Sequence, residues 1–330
     1  MKKIGVFTSG GDAPGMNAAI RAVVRTGIYY GVEVVGILRG YHGMIEGESI
    51  KMELRSVSNL LKSGGTILKT SRCKEFKTPE GRQKAADYLH SQGIDGLVAI
   101  GGNGTLTGLL EFRKHYKGKV IALPGTIDND LYGTDYTIGY HTAVETALEV
   151  IDKIKDTAGS HERVFIVEVM GAHAGFIAMD AGIGGGAEEI LIPEINTDLT
   201  ASIIQIIEGW RKGKTSSIIV VAEGCSEGGA YQILEKAKQL DLTRHLGMSE
   251  LDIRVVVIGH IQRGGTPVFF DRVLASKLGT YAVEKLIEGC DNAMAGELNH
   301  QCALTPIEDT VYKKKPIDPF ALKVAKILAI

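Results

Sequence analysis

One pattern recurs along this sequence and constrains its fold more than any other feature: a short apolar run, then a turn that carries glycine, then an amphipathic helix. The runs are rich in β-branched residues, and several are continuously apolar, as expected for parallel strands buried on both faces. The strand candidates are residues 4–7, 32–38, 96–100, 120–123, 164–169, 190–192, 218–222 and 253–258. Their alternation with helices predicts an α/β fold with mainly parallel, Rossmann-like sheets flanked by helices.

Two segments show most clearly the spacing of a helix with one buried face. Apolar residues recur at intervals of three and four from Ile20 to Ile28 and from Leu199 to Trp210, so both stripes are expected to pack into a core. A chain of 330 residues is long enough for two lobes. No low-complexity linker separates them, which indicates that the lobes are tightly joined or that the chain crosses between them more than once.

The overall composition disfavours several classes of function. The 37 Lys and Arg residues nearly balance the 39 Asp and Glu residues, so neither nucleic acid nor a membrane surface is expected as a partner. The four cysteines stand apart without a CxxC pair, which disfavours a zinc site and a structural disulfide. The apolar run near the start is far shorter than a signal-peptide core, and no run approaches a membrane span. The expected location is the cytoplasm.

Two glycine-rich turns follow strand candidates and precede helices, at residues 8–17 and 101–108. Glycine lets backbone N–H groups approach a phosphate closely, and the N-terminus of the following helix adds a favourable partial charge. The first turn matches neither the GxxxxGKS/T nor the GxGxxG pattern, so generic nucleotide-binding folds gain little support. Each alone could be a plain tight turn, whereas the two together suggest a polyphosphate bound along its length.

Paired carboxylates follow the fourth strand candidate, in the segment Pro-Gly-Thr-Ile-Asp-Asn-Asp at residues 124–130. In an extended stretch, side chains two residues apart point the same way, so Asp128 and Asp130 are expected to face one pocket. One carboxylate could act as a base while the other helps to hold a cation. Alone, such a segment is more often an exposed turn, and its place after a buried strand favours a site.

A histidine and an arginine follow the last strand candidate, in the segment Gly-His-Ile-Gln-Arg-Gly-Gly at residues 259–265. The forked guanidinium of Arg263 suits a phosphate. Further candidates are Arg72, Arg163, Glu223 and Arg254. Each alone would usually be a solvated surface charge. Two glycine turns, paired carboxylates and several arginines, without a His or Cys ligand cluster, together predict phosphoryl transfer to a phosphorylated acceptor.

On these motifs the sequence resembles the bacterial ATP-dependent 6-phosphofructokinases. The most specific strings are residues 8–21, 124–130 and 259–265, and the similarity runs from Lys2 to about Gly289. The resemblance implies that MgATP phosphorylates fructose 6-phosphate to fructose 1,6-bisphosphate, the committed step of glycolysis. It further implies an allosterically regulated homotetramer.

The same resemblance implies two lobes and their site residues. An ATP-binding lobe would comprise residues 1–138 and 252–305, and a fructose 6-phosphate-binding lobe residues 139–251 and 306–330. The residues implied for ATP are Gly11, Tyr41, Arg72, Cys73, Gly102, Asn103, Gly104 and Thr105. Those implied for catalysis are Asp128, which would be the base, Arg72, Thr126 and Asp130. Mg²⁺ would lie near Asn103 and Asp130, and Gly104 fits ATP users because diphosphate-using relatives carry an acidic residue there.

The residues implied for fructose 6-phosphate are Thr126, Ile127, Asp128, Arg163, Met170, Gly171, Ala172, Glu223, Arg254, His260, Ile261, Gln262 and Arg263. Of these, Arg163 and Arg254 would reach in from a neighbouring subunit, which implies active sites at a subunit interface. The residues implied for an effector, ADP or phosphoenolpyruvate, are Arg21, Arg25, Lys155, Gly186, Glu188, Lys212 and Lys214. These basic residues could instead form solvated faces, and Leu54 stands where some relatives have Arg.

Three positions depart from the family pattern. Asn103 stands where relatives carry the Asp that organises magnesium on the nucleotide, and an amide offers an oxygen ligand without the full charge. Ala172 stands where relatives carry an Arg, whose loss could cost on the order of 3 kcal/mol of transition-state stabilisation. Both changes predict slower turnover. The alternatives are a catalytically impaired, ligand-sensing paralogue and an enzyme for another sugar phosphate or for diphosphate. His141 stands where many relatives carry Asp or Phe, and the sequence predicts no functional effect of this difference.

Overall fold

The computed structural model of the chain describes residues 1–161, 163–214, 216–239 and 252–329. The chain divides into two compact units, each discontinuous in sequence. The first unit comprises residues 1–142 and 263–315, and the second comprises residues 143–262 and 316–330. Within the described ranges, no helix is long and apolar enough to cross a membrane.

The first unit is built around a seven-stranded sheet in the order β11-β10-β5-β4-β1-β2-β3. Its strands are β1 (Lys3–Thr8), β2 (Glu33–Ile37), β3 (Ser49–Met52), β4 (Gly96–Gly101), β5 (Lys119–Pro124), β10 (Ala293–Leu298) and β11 (Gln301–Pro306). The five inner strands run parallel, and β3 and β11 pair antiparallel with their neighbours at the two edges. Strands β1, β4 and β5 are almost entirely buried, as parallel strands covered on both faces are.

The second unit contains a four-stranded parallel sheet in the order β7-β8-β6-β9. Its strands are β6 (Val164–Val169), β7 (Glu189–Leu191), β8 (Ser217–Ala222) and β9 (Ile253–Val257). Strands β6 and β8 occupy the centre and are nearly all buried. Strand β9 lies at one edge of the sheet and is partly exposed along its length.

The helices of the described residues, in chain order, are α1 (Met16–Tyr29), α2 (Tyr41–Glu46), α3 (Pro79–Ser91), α4 (Asn103–Phe112), α5 (Tyr140–His161), α6 (Phe176–Gly184), α7 (Leu199–Arg211), α8 (Ala230–Gln239), α9 (Phe269–Glu288), α10 (Ile307–Tyr312) and α11 (Pro319–Leu328). Side-chain caps explain where two of these helices begin. The Thr78 side chain accepts from Gly81 N before α3, and Asp198 accepts from Thr200 N and Ala201 N before α7, which satisfies N–H groups that lack a partner within the helix.

Each unit has its own apolar core. In the first, Phe7, Leu97, Leu106 and Phe112 belong to one cluster of fully buried side chains that joins the sheet to α4. In the second, strand residues of β6 and β8 pack with apolar residues of α7 and α8. The helical stripes predicted from Ile20 and from Leu199 lie on α1 and α7, with their apolar residues largely buried.

The predicted fold class is confirmed, and all eight strand candidates are strands. Strands β3, β10 and β11 were not predicted from the sequence. The lobe limits predicted from resemblance also differ from those of the two units. Residues 252–262 belong to the second unit, because β9 hydrogen-bonds to β6 in the four-stranded sheet. The ligand of each unit stays a prediction.

Candidate active site

The two glycine-rich turns lie side by side in the first unit. They follow β1 and β4, which are adjacent parallel strands, so their carboxyl ends share one edge of the sheet. Thr105 Oγ1 donates to the backbone O of Ser9 over 3.0 Å and joins the two turns. A Cβ atom on Gly101 would lie 2.6 Å from that same Ser9 oxygen. Only glycine therefore lets the turns approach this closely.

Tyr41 supports the second glycine turn from the apolar core. Its ring is 6% exposed and stacks on Phe76 with a centroid distance of 3.8 Å. Its hydroxyl donates to the backbone O of Thr105 over 2.6 Å, and burial raises the pKa of Tyr41 well above its usual value. Direct contact between Tyr41 and a nucleotide stays a prediction, since its described contacts are with the protein.

Positively charged residues lie beside the first glycine turn. The Arg263 guanidinium lies against Gly11, where a Cβ atom would overlap Nη1, and Nη1 donates to the backbone O of Asp12 over 3.4 Å. Arg72 is exposed, and its segment is joined to the turn by Thr70, whose Oγ1 donates to the backbone O of Gly10 over 2.7 Å. Both arginines thus belong to segments that touch the turn predicted to bind phosphate.

The carboxylate loop follows β5, the strand next to β4, so it lies at the same sheet edge as the glycine turns. Asp128 and Asp130 are half-buried. Thr126 Oγ1 accepts from the backbone N of Asp128 over 3.2 Å. Thr126 also closely approaches Gly102, where a Cβ atom would lie 3.2 Å from the threonine Cβ. The structure thus brings together the predicted base, the predicted threonine and both glycine turns.

Three residues that the sequence analysis missed hold this loop in place. Asn129 is buried with a φ of 54°, a conformation that asparagine tolerates better than most residues. Its Oδ1 accepts from Thr137 N over 3.0 Å and from Lys315 Nζ over 2.9 Å. Thr137 Oγ1 donates to the backbone O of Thr126 over 2.6 Å. No local sequence signal marks these residues, because Lys315 is separated from Asn129 by 186 positions.

Asn103, the first residue of α4, contacts the carboxylate loop directly. Its Nδ2 donates to Asp130 Oδ2 over 2.6 Å. The two residues predicted to lie near a magnesium ion are therefore bonded to each other. Among the described residues there is no group of three or more His, Cys, Asp or Glu side chains that could hold a metal.

His141, the third departure from the family pattern, lies in an aromatic cluster of the first unit. Its ring stacks on Phe270 with a centroid distance of 3.9 Å and meets Tyr136 edge-on at 4.5 Å. Burial lowers the pKa of His141 to about 4, because a desolvated imidazole resists protonation. The described residues provide no hydrogen-bond partner for its buried Nδ1.

In the second unit, several residues predicted to bind sugar phosphate gather at the carboxyl ends of the strands. Glu223 Oε1 accepts from the backbone N of Ala172 over 2.8 Å and of Gly171 over 3.3 Å. Gln262 is fully buried, and its Oε1 accepts from Met170 N over 2.8 Å. His260 and Ile261 are exposed. Ala172 has a φ of 53°, in the left-handed region.

The other two arginines predicted for the sugar phosphate lie at the opposite end of this sheet. Arg163 directly precedes β6 and Arg254 is near the start of β9. Both bind Asp252, through Arg163 Nε to Oδ2 at 2.6 Å and Arg254 Nε to Oδ1 at 2.7 Å. Hydrogen bonds from Arg254 and then Arg163 lower the pKa of Asp252. A six-residue strand separates this arginine pair from the Met170 turn, a distance of about 17 Å.

The predicted effector residues fall into two groups, one in each unit. Arg21 and Arg25 lie one turn apart on α1, and partial burial followed by the charge of Arg25 lowers the pKa of Arg21. In the second unit, Lys214 Nζ pairs with Glu188 Oε1 at 3.6 Å. A Cβ atom on Gly186 would lie 2.8 Å from Lys155 Nζ, and Lys212 is exposed.

Comparisons with known proteins agree with one another. Residues 3–286 match the family model described as Phosphofructokinase. The chain is 54% identical to ATP-dependent 6-phosphofructokinase 1 of Thermus thermophilus, with 100% of both chains covered. It is 53% identical to ATP-dependent 6-phosphofructokinase of Cytophaga hutchinsonii, over 99% of this chain and 98% of that one.

A solved structure shows the same fold. The Pichia pastoris phosphofructokinase in the T-state superposes with a TM-score of 0.85 and 38% identity. The match covers 94% of this chain but 35% of the fungal chain, so this chain spans about a third of that protein's length.

Proposed function

Because this chain belongs to the phosphofructokinase family, we propose that it transfers the γ-phosphoryl group of ATP to the 1-hydroxyl of fructose 6-phosphate. One observation carries the proposal. In the first unit, both glycine turns and the Asp128 loop follow three adjacent parallel strands. Phosphate-binding backbone and a carboxylate base therefore share one sheet edge, which is the arrangement that phosphoryl transfer needs. The bacterial relatives that match over their full length carry the name of this activity.

In the proposed reaction, Asp128 accepts the proton of the sugar 1-hydroxyl as its oxygen attacks the γ-phosphorus. The bond from the γ-phosphorus to the bridging oxygen breaks, and ADP leaves with the electron pair. A positioned base of this kind contributes about 10²–10⁴-fold to a rate. The hydrogen bonds of Thr126, Asn129 and Thr137 support the proposal because they restrict the loop that carries the base.

We assign the nucleotide phosphates to the paired glycine turns. Their backbone N–H groups and the N-terminus of α4 offer donors and positive partial charge to an anion. Arg72 would offset the negative charge that spreads over the transferring group, and we assign the same role to Arg263, which the resemblance had implied for fructose 6-phosphate. The place of Arg263 against Gly11 supports this role.

For the sugar phosphate, we propose the turn around Met170, together with Glu223 and His260. Arg163 and Arg254 would serve the site of a neighbouring subunit. This division is supported by their place at the opposite end of the four-stranded sheet, about 17 Å from the Met170 turn, which an arginine side chain cannot span. A homotetramer with shared active sites is the assembly that we infer.

Magnesium enters the proposal as part of the substrate MgATP. A preformed ion site on the protein does not fit Asn103 and Asp130 well, because the amide N–H group of one already donates to the carboxylate of the other. No step is therefore assigned to a protein-held ion. Ala172 is half-buried and supplies no positive charge, so we expect slower turnover than an arginine at this position would give.

We also propose that the basic groups on α1 and near Gly186 bind a phosphorylated effector, ADP or phosphoenolpyruvate. The positive φ of 60° at Gly186 and the ammonium of Lys155 beside it support an anion at this turn. Equilibrium binding of each effector to the protein and to a Lys155→Met variant would test this assignment. Equal affinity for both proteins would contradict it.

The activity is tested by following fructose 1,6-bisphosphate in a coupled assay, with ATP and diphosphate as donors and a panel of sugar phosphates as acceptors. We expect product from ATP and fructose 6-phosphate. Asp128→Asn should lower kcat by at least about 10²-fold while leaving the affinity for MgATP nearly unchanged. Binding of both substrates without product would refute the proposal and favour the ligand-sensing alternative. Faster turnover with diphosphate would refute the choice of donor.

A further inference from the structure

The hydrogen bond between Asn103 and Asp130 joins the second glycine turn to the carboxylate loop without a cation. An ionised carboxylate only accepts hydrogen bonds, so the amide must present its N–H group to Asp130 Oδ2. The distance of 2.6 Å is short for an N–H donor, and the ionised acceptor makes the bond charge-assisted. The N-terminus of α4 adds positive partial charge beside the same carboxylate.

Both partners of this bond are anchored independently. The backbone O of Asn103 accepts from Thr107 Oγ1 over 2.9 Å, within the first turn of α4. Asp130 directly follows Asn129, which is buried and accepts hydrogen bonds from Thr137 and Lys315. The amide and the carboxylate therefore meet because two fixed segments bring them together.

We propose that Asn103 is a positioning residue that holds Asp130 against the start of α4 whether or not a divalent cation is present. A cation that approached Asp130 Oδ2 from the side of Asn103 would have to displace the amide N–H group, so the bond competes with metal binding on that side. This proposal rests on the proposed function only in its effect on turnover, whereas competition between the amide and a cation applies to the nucleotide-free protein.

A single substitution at Asn103 should reverse the effect of a cation on this link. Asn103→Asp would place a second carboxylate within contact distance of Asp130 Oδ2, and like charges at such a distance repel. A divalent cation would relieve that repulsion and gain two carboxylate ligands, which magnesium and manganese prefer. The variant should convert a cation-independent link into a cation-dependent one.

The first test measures thermal unfolding midpoints in excess EDTA and in millimolar MgCl₂. The wild-type midpoint should be the same in both. Asn103→Asp should unfold about 2–4 °C lower in EDTA and recover most of that loss in MgCl₂. Asn103→Ala should show a lower midpoint that magnesium does not restore. Asn59→Asp is the matched control, because Asn59 is an exposed residue of the same unit and the charge change is identical.

Manganese binding to the nucleotide-free protein, followed by electron paramagnetic resonance, gives the second readout. Asn103→Asp should bind Mn²⁺ at least about tenfold more tightly than the wild type, a gain of about 1.4 kcal/mol, and Asn59→Asp should not. Equal Mn²⁺ affinity in wild type and Asn103→Asp would overturn the inference. So would an EDTA midpoint of Asn103→Asp no lower than that of Asn59→Asp.

The third readout separates this inference from the proposed activity. At saturating MgATP, the wild-type rate should not change with free Mg²⁺, whereas the Asn103→Asp rate should rise with it. A wild-type rate that rises with free Mg²⁺ would overturn the positioning role. If no phosphofructokinase activity is found at all, the proposed function fails, and the unfolding and manganese measurements still decide the inference.

Discussion

Replacing Lys315 with methionine is expected to loosen the loop that carries Asp128. Lys315 Nζ donates to Asn129 Oδ1 over 2.9 Å and to the backbone O of Asp135 over 2.6 Å. A hydrogen bond from a charged donor contributes about 1.5–3 kcal/mol, and the lower end applies because Lys315 is partly exposed. The two bonds together should stabilise the first unit by about 3 kcal/mol. Methionine retains the apolar stem and removes both bonds.

The expected loss lowers the thermal unfolding midpoint by about 6–12 °C, at about 2–4 °C per kcal/mol for a unit of this size. In the coupled assay, kcat should fall by about tenfold or more, because a displaced Asp128, the proposed base, would lose its alignment with the sugar hydroxyl. The KM for MgATP should change little, because the two hydrogen bonds that are removed hold Asn129 and Asp135, outside the glycine turns.

Lys314→Met is the matched control, because Lys314 is the adjacent exposed lysine and the variant loses the same charge. Its described link to the carboxylate loop is a backbone bridge to Leu131, which the substitution retains. Wild-type stability in Lys315→Met, or equal losses in both variants, would refute the reasoning from these two hydrogen bonds.

Three further predictions concern stability. Gly101→Ala should cost about 1–3 kcal/mol, because the new Cβ atom would meet the Ser9 backbone oxygen at 2.6 Å; Gly104→Ala, with no atom within 4 Å of its Cβ position, should cost much less, and equal midpoints would contradict this. His141, with its pKa near 4 against an ordinary 6.5, charges more readily when unfolded, so the unfolding free energy should fall by about 1–2 kcal/mol from pH 7 to pH 5; an equally steep fall in His141→Phe would refute this. The pKa of Asp252 is depressed below 3.8 by its two arginines, so its stabilisation is present above about pH 4 and is lost at lower pH; Asp252→Asn should therefore weaken the acid dependence of unfolding, and an unchanged profile would argue against the ion pairs.

Most of the strands that the sequence predicted, such as β1, β4, β5 and β8, contain a continuous apolar run that both faces of a sheet bury. The missed strands lack it. Strand β3 has the sequence Ser-Ile-Lys-Met and is mostly exposed, and β10 contains Ala, Gly and Glu, residues with low strand propensity. Both are strands because neighbouring strands offer hydrogen-bond partners, which is a tertiary effect.

The residues of the candidate site likewise divide into those that local sequence predicts and those that tertiary contacts place. The glycine turns and Asp128 could be predicted because strand-end position and residue type are local properties. Lys315 could not, since its role depends on a contact with Asn129, far away in sequence. Asn103 was recognised as a departure from the family pattern, but only the three-dimensional structure shows that its amide faces Asp130. The sequence shows that the family's carboxylate is missing at position 103, and the fold shows which residue the amide in its place contacts.

The placement of Arg254 and the Met170 turn at opposite ends of the four-stranded sheet has a genetic consequence. If Arg163 and Arg254 of each chain bind the substrate of another chain, two inactive variants can complement one another. Mixing Asp128→Asn subunits with Arg254→Ala subunits at equal amounts would leave one intact centre in every hybrid pair, or roughly a quarter of all centres for random pairing. Activity in the mixture, when neither variant is active alone, would indicate an active site built from two chains.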